Sequence, residues 1–261
     1  HLGRFSNGPT WSEYLADYKQ INRMDPNQFS NYAYGQAQIF GTVHLTTHGN
    51  HHQHAWTFEV PDLSAEIDQY MQHNQIDPEH TIYYFFIGTN DFLNAKPTTR
   101  VTTNRFINQR LDTLISQIKR INRLGKTNIV VFNLPHLTLT PLAKQLNAQY
   151  KHDYLANLDH MTQQYNQQLD KKLMDFDNVT LYDVYHFSDR VNDQHPKYTW
   201  YRSTYQITNT TKPCYVNQGN YTDRVNPVCN NPWEYLYFDR VHLTTYANLL
   251  LANDINKKIQ K

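Results

Sequence analysis

"TIYYFFIGTNDF", residues 81–92, runs from a short continuous apolar segment straight into a polar turn. Its first part is β-branched and aromatic with no polar alternation. That pattern predicts a strand buried on both faces, because a half-exposed strand would show polarity at period two. After a polar loop, Phe106, Leu111, Leu114, Ile115, Ile118 and Ile121 recur at spacings of three and four, which predicts an amphipathic helix closed by Gly125. "NIVVFNLP" (128–135) predicts a second buried strand stopped by Pro135. Leu155, Leu158, Met161, Tyr165, Leu169 and Leu173 mark a second long helix, and "VTLYDV" (179–184) a third strand. Strand, helix, strand, helix, strand with short connections predicts an α/β protein whose parallel sheet is covered on both faces. Ligands in such folds bind at the carboxyl ends of the strands. That nominates the loops beginning at Gly88, Leu134 and Asp183.

Upstream, "TWSEYLADYK" (10–19) and "PDLSAEIDQYMQH" (61–73) read as helices, with "NYAYGQA" (31–37) and "HGNHHQHAW" (48–56) as loops. Residues 186–237 read as a long irregular insertion, and a last helix runs from about Thr244 to Ile259. Neither repeats nor linkers interrupt the chain, so residues 1–261 are expected to form one domain.

The chain has 261 residues and a net charge of +1, with acids and bases interspersed, which disfavours nucleic acid or another polyanion as partner. Its apolar runs fall far short of a membrane span and no charged-then-apolar leader opens it, so a soluble protein is expected. Cys214 and Cys229 bracket a polar stretch without helical or strand period. An even cysteine count around a loop reads as a disulfide of an exported protein, and two unrelated buried thiols are the alternative. His48, His51, His52 and His54 lie together with no Cys or carboxylate at ligand spacing, so a solvated loop is favoured over a metal site.

Three short segments carry chemistry. Asn90 follows the most apolar strand, where a side-chain N–H could donate to a developing oxyanion, although an Asx turn would use the same residue. Gly35 lacks the Cβ that would keep a ligand from its backbone N–H. Asp239 and His242, in "DRVHLT" (239–244), share a loop ahead of a helix that Thr244 or Thr245 could cap. There a carboxylate can hold one imidazole nitrogen while the other takes a proton from a hydroxyl nucleophile. A helix-entry aspartate with a surface histidine is the plainer reading of that pair.

The order of these segments resembles the SGNH (GDSL) hydrolases, in particular the branch of bacterial secreted lysophospholipases, phospholipases A and glycerophospholipid acyltransferases. "GRFSNGPTW" (3–11), "NYAYGQA", "GTND" (88–91), "NLPHLTLTPL" (133–142) and "DRVHLT" follow that family's blocks nearly end to end, with His136 and Thr138 as departures. The resemblance implies a three-layer α/β/α, flavodoxin-like fold around a central parallel sheet. It also implies Asp239 and His242 as triad acid and base, Gly35 and Asn90 as oxyanion donors, and a mechanism needing no metal or other cofactor. The family's Gly-Asp-Ser-Leu block belongs before "GRFSNGP", so the nucleophilic serine is expected upstream of His1. Ser6, Ser12, Ser30, Ser64, Ser116, Ser188 and Ser203 all lack its context.

The implied activity is hydrolysis of lipid fatty-acyl esters, with acyl transfer open to the same machinery. A carboxylesterase for short soluble esters and a non-catalytic SGNH-like binding protein are the alternatives. Expected partners are a lysophospholipid or phospholipid, a membrane surface in transient contact, and a processing protease at the 214–229 loop, which is read as a lid. A secreted or periplasmic bacterial location is expected.

Overall fold

The computed structural model describes residues 4–48, 55–72, 76–95, 100–150, 153–193, 206–216 and 228–259. In chain order the elements are α1 (Trp11–Tyr18), β1 (Val43–His48), β2 (Ala55–Val60), α2 (Leu63–Met71), β3 (Ile82–Phe85), α3 (Thr89–Leu93), α4 (Arg100–Asn122), β4 (Asn128–Phe132), α5 (Pro141–Tyr150), α6 (Tyr154–Leu173), β5 (Val179–Tyr182), α7 (Val184–Asp193), β6 (Asn209–Pro213), β7 (Tyr235–Tyr237) and α8 (Thr245–Lys258). They fall into two compact units, one of residues 32–137 and 155–185, the other of residues 1–31, 138–154 and 186–261.

The first unit holds a parallel sheet in the order β3-β4-β5, with Phe85 beside Val131 and Phe132 beside Tyr182. β4 is the middle strand, which explains its unbroken apolar run: Ile129, Val130, Val131 and Phe132 are all buried. The long helix α4 buries Ile107, Leu111, Leu114, Ile118 and Ile121, a stripe at steps of three and four. Each such side chain is worth about 1.5–3 kcal/mol of burial. The stripe starts on Ile107 rather than on Phe106, which is only partly buried. α6 buries Leu158, Met161, Tyr165, Leu169 and Leu173. The parallel strands bring the ends of β3, β4 and β5 to one edge, and side-chain amides tie that edge together. Asn133 Oδ1 accepts the N–H groups of Val184 (2.8 Å) and Tyr185 (3.1 Å), while Asn166 brackets Leu134 by accepting its N–H and donating to its carbonyl.

The second unit is built on α1 against α8. Thr10 and Glu13 form a capping box at α1, with the Thr10 N–H donating to Glu13 Oε2 at 2.8 Å. The Arg4 guanidinium on the Glu13 carboxylate lowers its pKa to about 2, against a smaller opposing push from burial. α8 buries Tyr246, Ala247, Leu250, Leu251, Ala252 and Ile255. "NGP" (7–9) seats the start of this helix. Asn7 Oδ1 accepts the Thr245 N–H at 2.9 Å, and the Thr245 hydroxyl donates to the Pro9 carbonyl at 3.0 Å. A Cβ on Gly8 would come within 2.7 Å of Thr245 Oγ1, so only glycine fits that approach.

Several elements depart from the sequence expectation. The stretch expected as a loop at 48–56 is flanked by an antiparallel hairpin, β1 with β2, so His48, Ala55 and Trp56 lie in strands. Residues 49–54 of that stretch, with His51, His52 and His54, lie outside the described residues. The insertion expected to be irregular over 186–237 begins inside α7, and β6 pairs in parallel with β7 at its far end. A helix not anticipated, α5, starts at Pro141. Among the described residues no helix is long and apolar enough to cross a membrane.

Candidate active site

Asp239 and His242 sit in a loop closed at both ends. The Phe238 N–H donates to the His242 carbonyl at 2.7 Å, and Tyr237 bridges to Leu243. Immediately beyond, Thr244 is fixed three ways: its N–H donates to the Leu236 carbonyl (3.0 Å), its hydroxyl donates to the Tyr235 carbonyl (2.7 Å), and its side chain caps α8. The loop tip is tethered where Arg240 O accepts the Leu142 N–H at 2.9 Å. Inside this frame the Asp239 carboxylate folds back on its own backbone, Oδ1 accepting the N–H groups of Val241 and His242 at 2.8 Å each. The other oxygen, Oδ2, lies 2.7 Å from His242 Nδ1.

A carboxylate can only accept in that pair, so Nδ1 carries the proton and the Nε2 lone pair is left as a base. Burial pushes the Asp239 carboxyl upward, but the hydrogen bond and charge of His242, together with the two backbone N–H groups, outweigh it and hold the pKa below the ordinary value. Asp239 is therefore an anion at neutral pH. The imidazole stacks on the Phe5 ring at 4.8 Å, tilted by 20°, which fixes its second rotational freedom. Among the described residues nothing hydrogen-bonds to Nε2.

The sheet unit holds the other pair of expected residues. Gly88, which ends the β3 run, takes φ +115°, and a Cβ there would meet Leu134 Cδ2 at 2.9 Å and Ile39 Cδ1 at 3.0 Å. Glycine alone permits this turn, which swings Thr89 and Asn90 out at the carboxyl edge. Asn90 Nδ2 donates one hydrogen to the Ala37 carbonyl at 2.9 Å, and its second hydrogen remains to donate. Ala37 closes the turn of "NYAYGQA", its N–H donating to the Tyr34 carbonyl at 3.2 Å with Gly35 and Gln36 between. Because a trans peptide points its C=O and N–H in opposite directions, the bond that turns the Tyr34 carbonyl inward sends the Gly35 N–H outward. Gly35 is exposed, and among the described residues its N–H is unpartnered. The structure thus brings Asn90 and the Gly35 turn together as two adjacent N–H sources.

Next to Asn90, Asp91 is buried and accepts the Ile39 N–H (2.8 Å) and the Arg110 Nε–H (3.0 Å). Burial raises its pKa although these donors oppose the rise. Its role is to lock residues 39–40 to α3.

Residues 1–255 match the GDSL-like lipase/acylhydrolase family profile. The chain belongs to this family. Its curated relatives include the "Inactive GDSL esterase/lipase-like protein 25" of Arabidopsis thaliana, 25% identical over 267 residues that cover 96% of this chain and 61% of that protein. A GDSL esterase/lipase of the same plant is 25% identical over 300 residues, covering 98% of this chain and 76% of its own. "GDSL esterase/lipase 5", also from Arabidopsis thaliana, is 20% identical over 277 residues, 95% of this chain and 71% of its own. The chain thus spans about three fifths of the length of the first relative and about three quarters of the second. These relatives come from a plant. They overturn the bacterial location expected from the sequence, and the resemblance to a bacterial branch narrows to the GDSL family as a whole.

Cys214 and Cys229 are disulfide-bonded. A bridge closing a loop with a sequence separation of 15 contributes about 3 kcal/mol, mainly by restricting the unfolded chain. It borders the dyad's frame directly: the Cys214 N–H donates to the Tyr237 carbonyl (3.0 Å) and the Tyr215 N–H to the Phe238 carbonyl (2.6 Å). Of the 214–229 loop expected as a lid, residues 217–227 lie outside the described residues. Ser6 is 1% exposed and its hydroxyl has no hydrogen-bond partner among the described residues, so the His242 base does not activate it.

Two contributors escaped sequence reading. Phe5 stacks on the imidazole from far away in the chain. Glu66 accepts the Tyr34 N–H at 3.0 Å from α2. Glu66 did leave a signal, since it occupies the same helix face as Leu63 and Ile67, where an apolar residue is expected.

Proposed function

We propose that the complete protein is a serine ester hydrolase acting on fatty-acyl esters of lipids, with lysophospholipids ahead of phospholipids and acyl transfer as a side reaction. The observation that carries this reading is the Asp239–His242 pair, in which three acceptor bonds fix the carboxylate and orient Nε2 as a base. The nucleophile in this reading is a serine on a segment upstream of His1, where the family's Gly-Asp-Ser-Leu block belongs.

As the serine oxygen bonds to the ester carbonyl carbon, its proton passes to His242 Nε2, and Asp239 stabilises the imidazolium. Negative charge moves to the carbonyl oxygen, for which Gly35 N–H and Asn90 Nδ2–H serve as donors. Collapse of the tetrahedral species breaks the bond to the alcohol, which leaves with the proton from Nε2. Water, or an acceptor alcohol, then releases the acyl group by the same steps. No step calls for a metal. The Cys214–Cys229 loop acts as a gate in this reading, and a membrane surface and a processing protease are its partners.

A non-catalytic SGNH-like binding protein is the second reading, favoured by the name of one relative, which calls that protein inactive. Substrate class is tested by comparing kcat/KM of the complete protein for fatty-acid release from a lysophosphatidylcholine with that for a p-nitrophenyl acetate. A higher value on the lipid is expected. Preference for the acetate would assign a short-chain carboxylesterase instead.

A further inference from the structure

The turn that carries Gly35 is gripped by a buried carboxyl group that belongs to none of the family-like segments. Glu66 lies in the first turn of α2, on the face that also buries Leu63 and Ile67, and is 8% exposed. A leucine or methionine would fill that position without the cost of dehydrating an ionisable group. What a carboxyl group adds is an acceptor, and Glu66 Oε1 accepts the Tyr34 N–H at 3.0 Å. On the same helix Gln69 Oε1 accepts the Tyr34 hydroxyl at 3.1 Å. Tyr34 is therefore held at its N–H by Glu66, at its carbonyl by Ala37 and at its ring by Gln69.

That grip bears on chemistry because Tyr34 joins two peptide planes: the one before it carries the N–H that Glu66 holds, and the one after it carries the Gly35 N–H. The turn is not at rest on its own. Gln36 adopts φ +71°, a left-handed conformation that costs a side-chain-bearing residue free energy and persists only where its surroundings impose it. Asn90 Nδ2 on the Ala37 carbonyl restrains the far end of the turn, and Glu66 restrains the near end.

We propose that Glu66 is a positioning residue for the oxyanion donor: by holding the Tyr34 N–H it sets the direction of the Gly35 N–H. This rests on the ester-hydrolase reading for its catalytic consequence, though not for the geometry. Burial first, and then the Asp62 charge, raise the Glu66 pKa to about 7 against the opposing pull of the Tyr34 N–H. The charged groups around it are few. Asp62 accepts the Ala65 and Gly41 N–H groups, Arg120 of α4 is engaged with Asp68, and residues 32–41 carry no charge. The carboxylate form grips the N–H more tightly than the neutral acid, so the grip strengthens as pH rises through neutrality.

The test uses the complete protein with Glu66→Ala and Glu66→Gln, a p-nitrophenyl ester, and amide hydrogen exchange at residues 34–37. Glu66→Ala is expected to lower kcat by about tenfold to a hundredfold with KM nearly unchanged, and to speed exchange at Ala37, because a small displacement of a donor is felt mainly in the transition state. Glu66→Gln keeps the acceptor and restores both. The ratio of wild-type to Glu66→Gln kcat rises between pH 6 and pH 8, an effect that a merely structural glutamate would not produce. Wild-type kcat and unchanged exchange in Glu66→Ala would overturn the proposal. An inactive wild-type protein would refute the hydrolase reading alone, and exchange would then decide the positioning role: faster in the alanine variant and restored in the glutamine variant supports it, unchanged contradicts it.

Discussion

His242→Ala in the complete protein is expected to lower kcat for ester hydrolysis by about 10⁴- to 10⁶-fold, or about 5–8 kcal/mol of transition-state stabilisation. A serine hydroxyl near its ordinary pKa is a poor nucleophile, and in the proposed mechanism the imidazole takes its proton as the new bond forms. The loss falls on kcat because the proton moves only in the transition state. The fold should survive the change. The His242 side chain is 40% exposed, and Asp239 keeps the Val241 N–H and the backbone N–H of residue 242 after truncation. The stability loss is therefore about 1 kcal/mol, from one hydrogen bond and the stack on Phe5. Far-UV circular dichroism and a thermal melt alongside the kinetics separate the two effects. Turnover at the wild-type rate would remove His242 from the mechanism.

Asn90→Ala is the second large effect, expected to lower kcat by about 10²- to 10³-fold, or about 3–4 kcal/mol, which is the cost of losing one oxyanion donor. Here the geometry predicts a second consequence. The same amide donates to the Ala37 carbonyl, so truncation also releases the turn that carries Gly35. Asn90→Ala should therefore cost more than loss of a single donor alone, and its effect should be less than additive with that of Glu66→Ala, since both act on one turn. A double-mutant cycle on kcat measures this directly. Full additivity would mean that the two residues act on separate structures.

The sheet was legible in the sequence because its strands are apolar, though only the middle one, β4, is buried on both faces from Ile129 to Phe132. "NIVVF" needs apolar side chains on both faces, whereas "IYYF", expected to be buried on both, buries Tyr83 and Phe85 on one face and leaves Ile82 and Tyr84 partly exposed on the other; α4 and α6 show their stripes in the spacing of Leu, Ile and Tyr. The β1–β2 hairpin was not legible, since Thr46, Thr57 and Phe58 are exposed and "VHLTTH" has little contrast between its faces. The pairing of β6 with β7 joins segments more than twenty residues apart, and local pattern says nothing of such a partner.

The site divides in the same way. Asp239, His242, Gly35 and Asn90 were nominated because they stand in motifs. What holds them comes from elsewhere in the chain: Phe5 against the imidazole, Leu142 on the Arg240 carbonyl, Glu66 under Tyr34. The "FSNGP" segment was read only as a marker of order. Its physical work is to seat the first turn of α8 through Asn7, Gly8 and Pro9, just past His242.

Activation of a serine by the Asp239–His242 pair is tested by reaction of the complete protein with a fluorophosphonate probe, read by intact mass and peptide mapping. A single adduct on a serine upstream of His1, formed by the wild-type protein and lost in His242→Ala, is the expected result. No adduct on the wild-type protein, or one on Ser6, would contradict it.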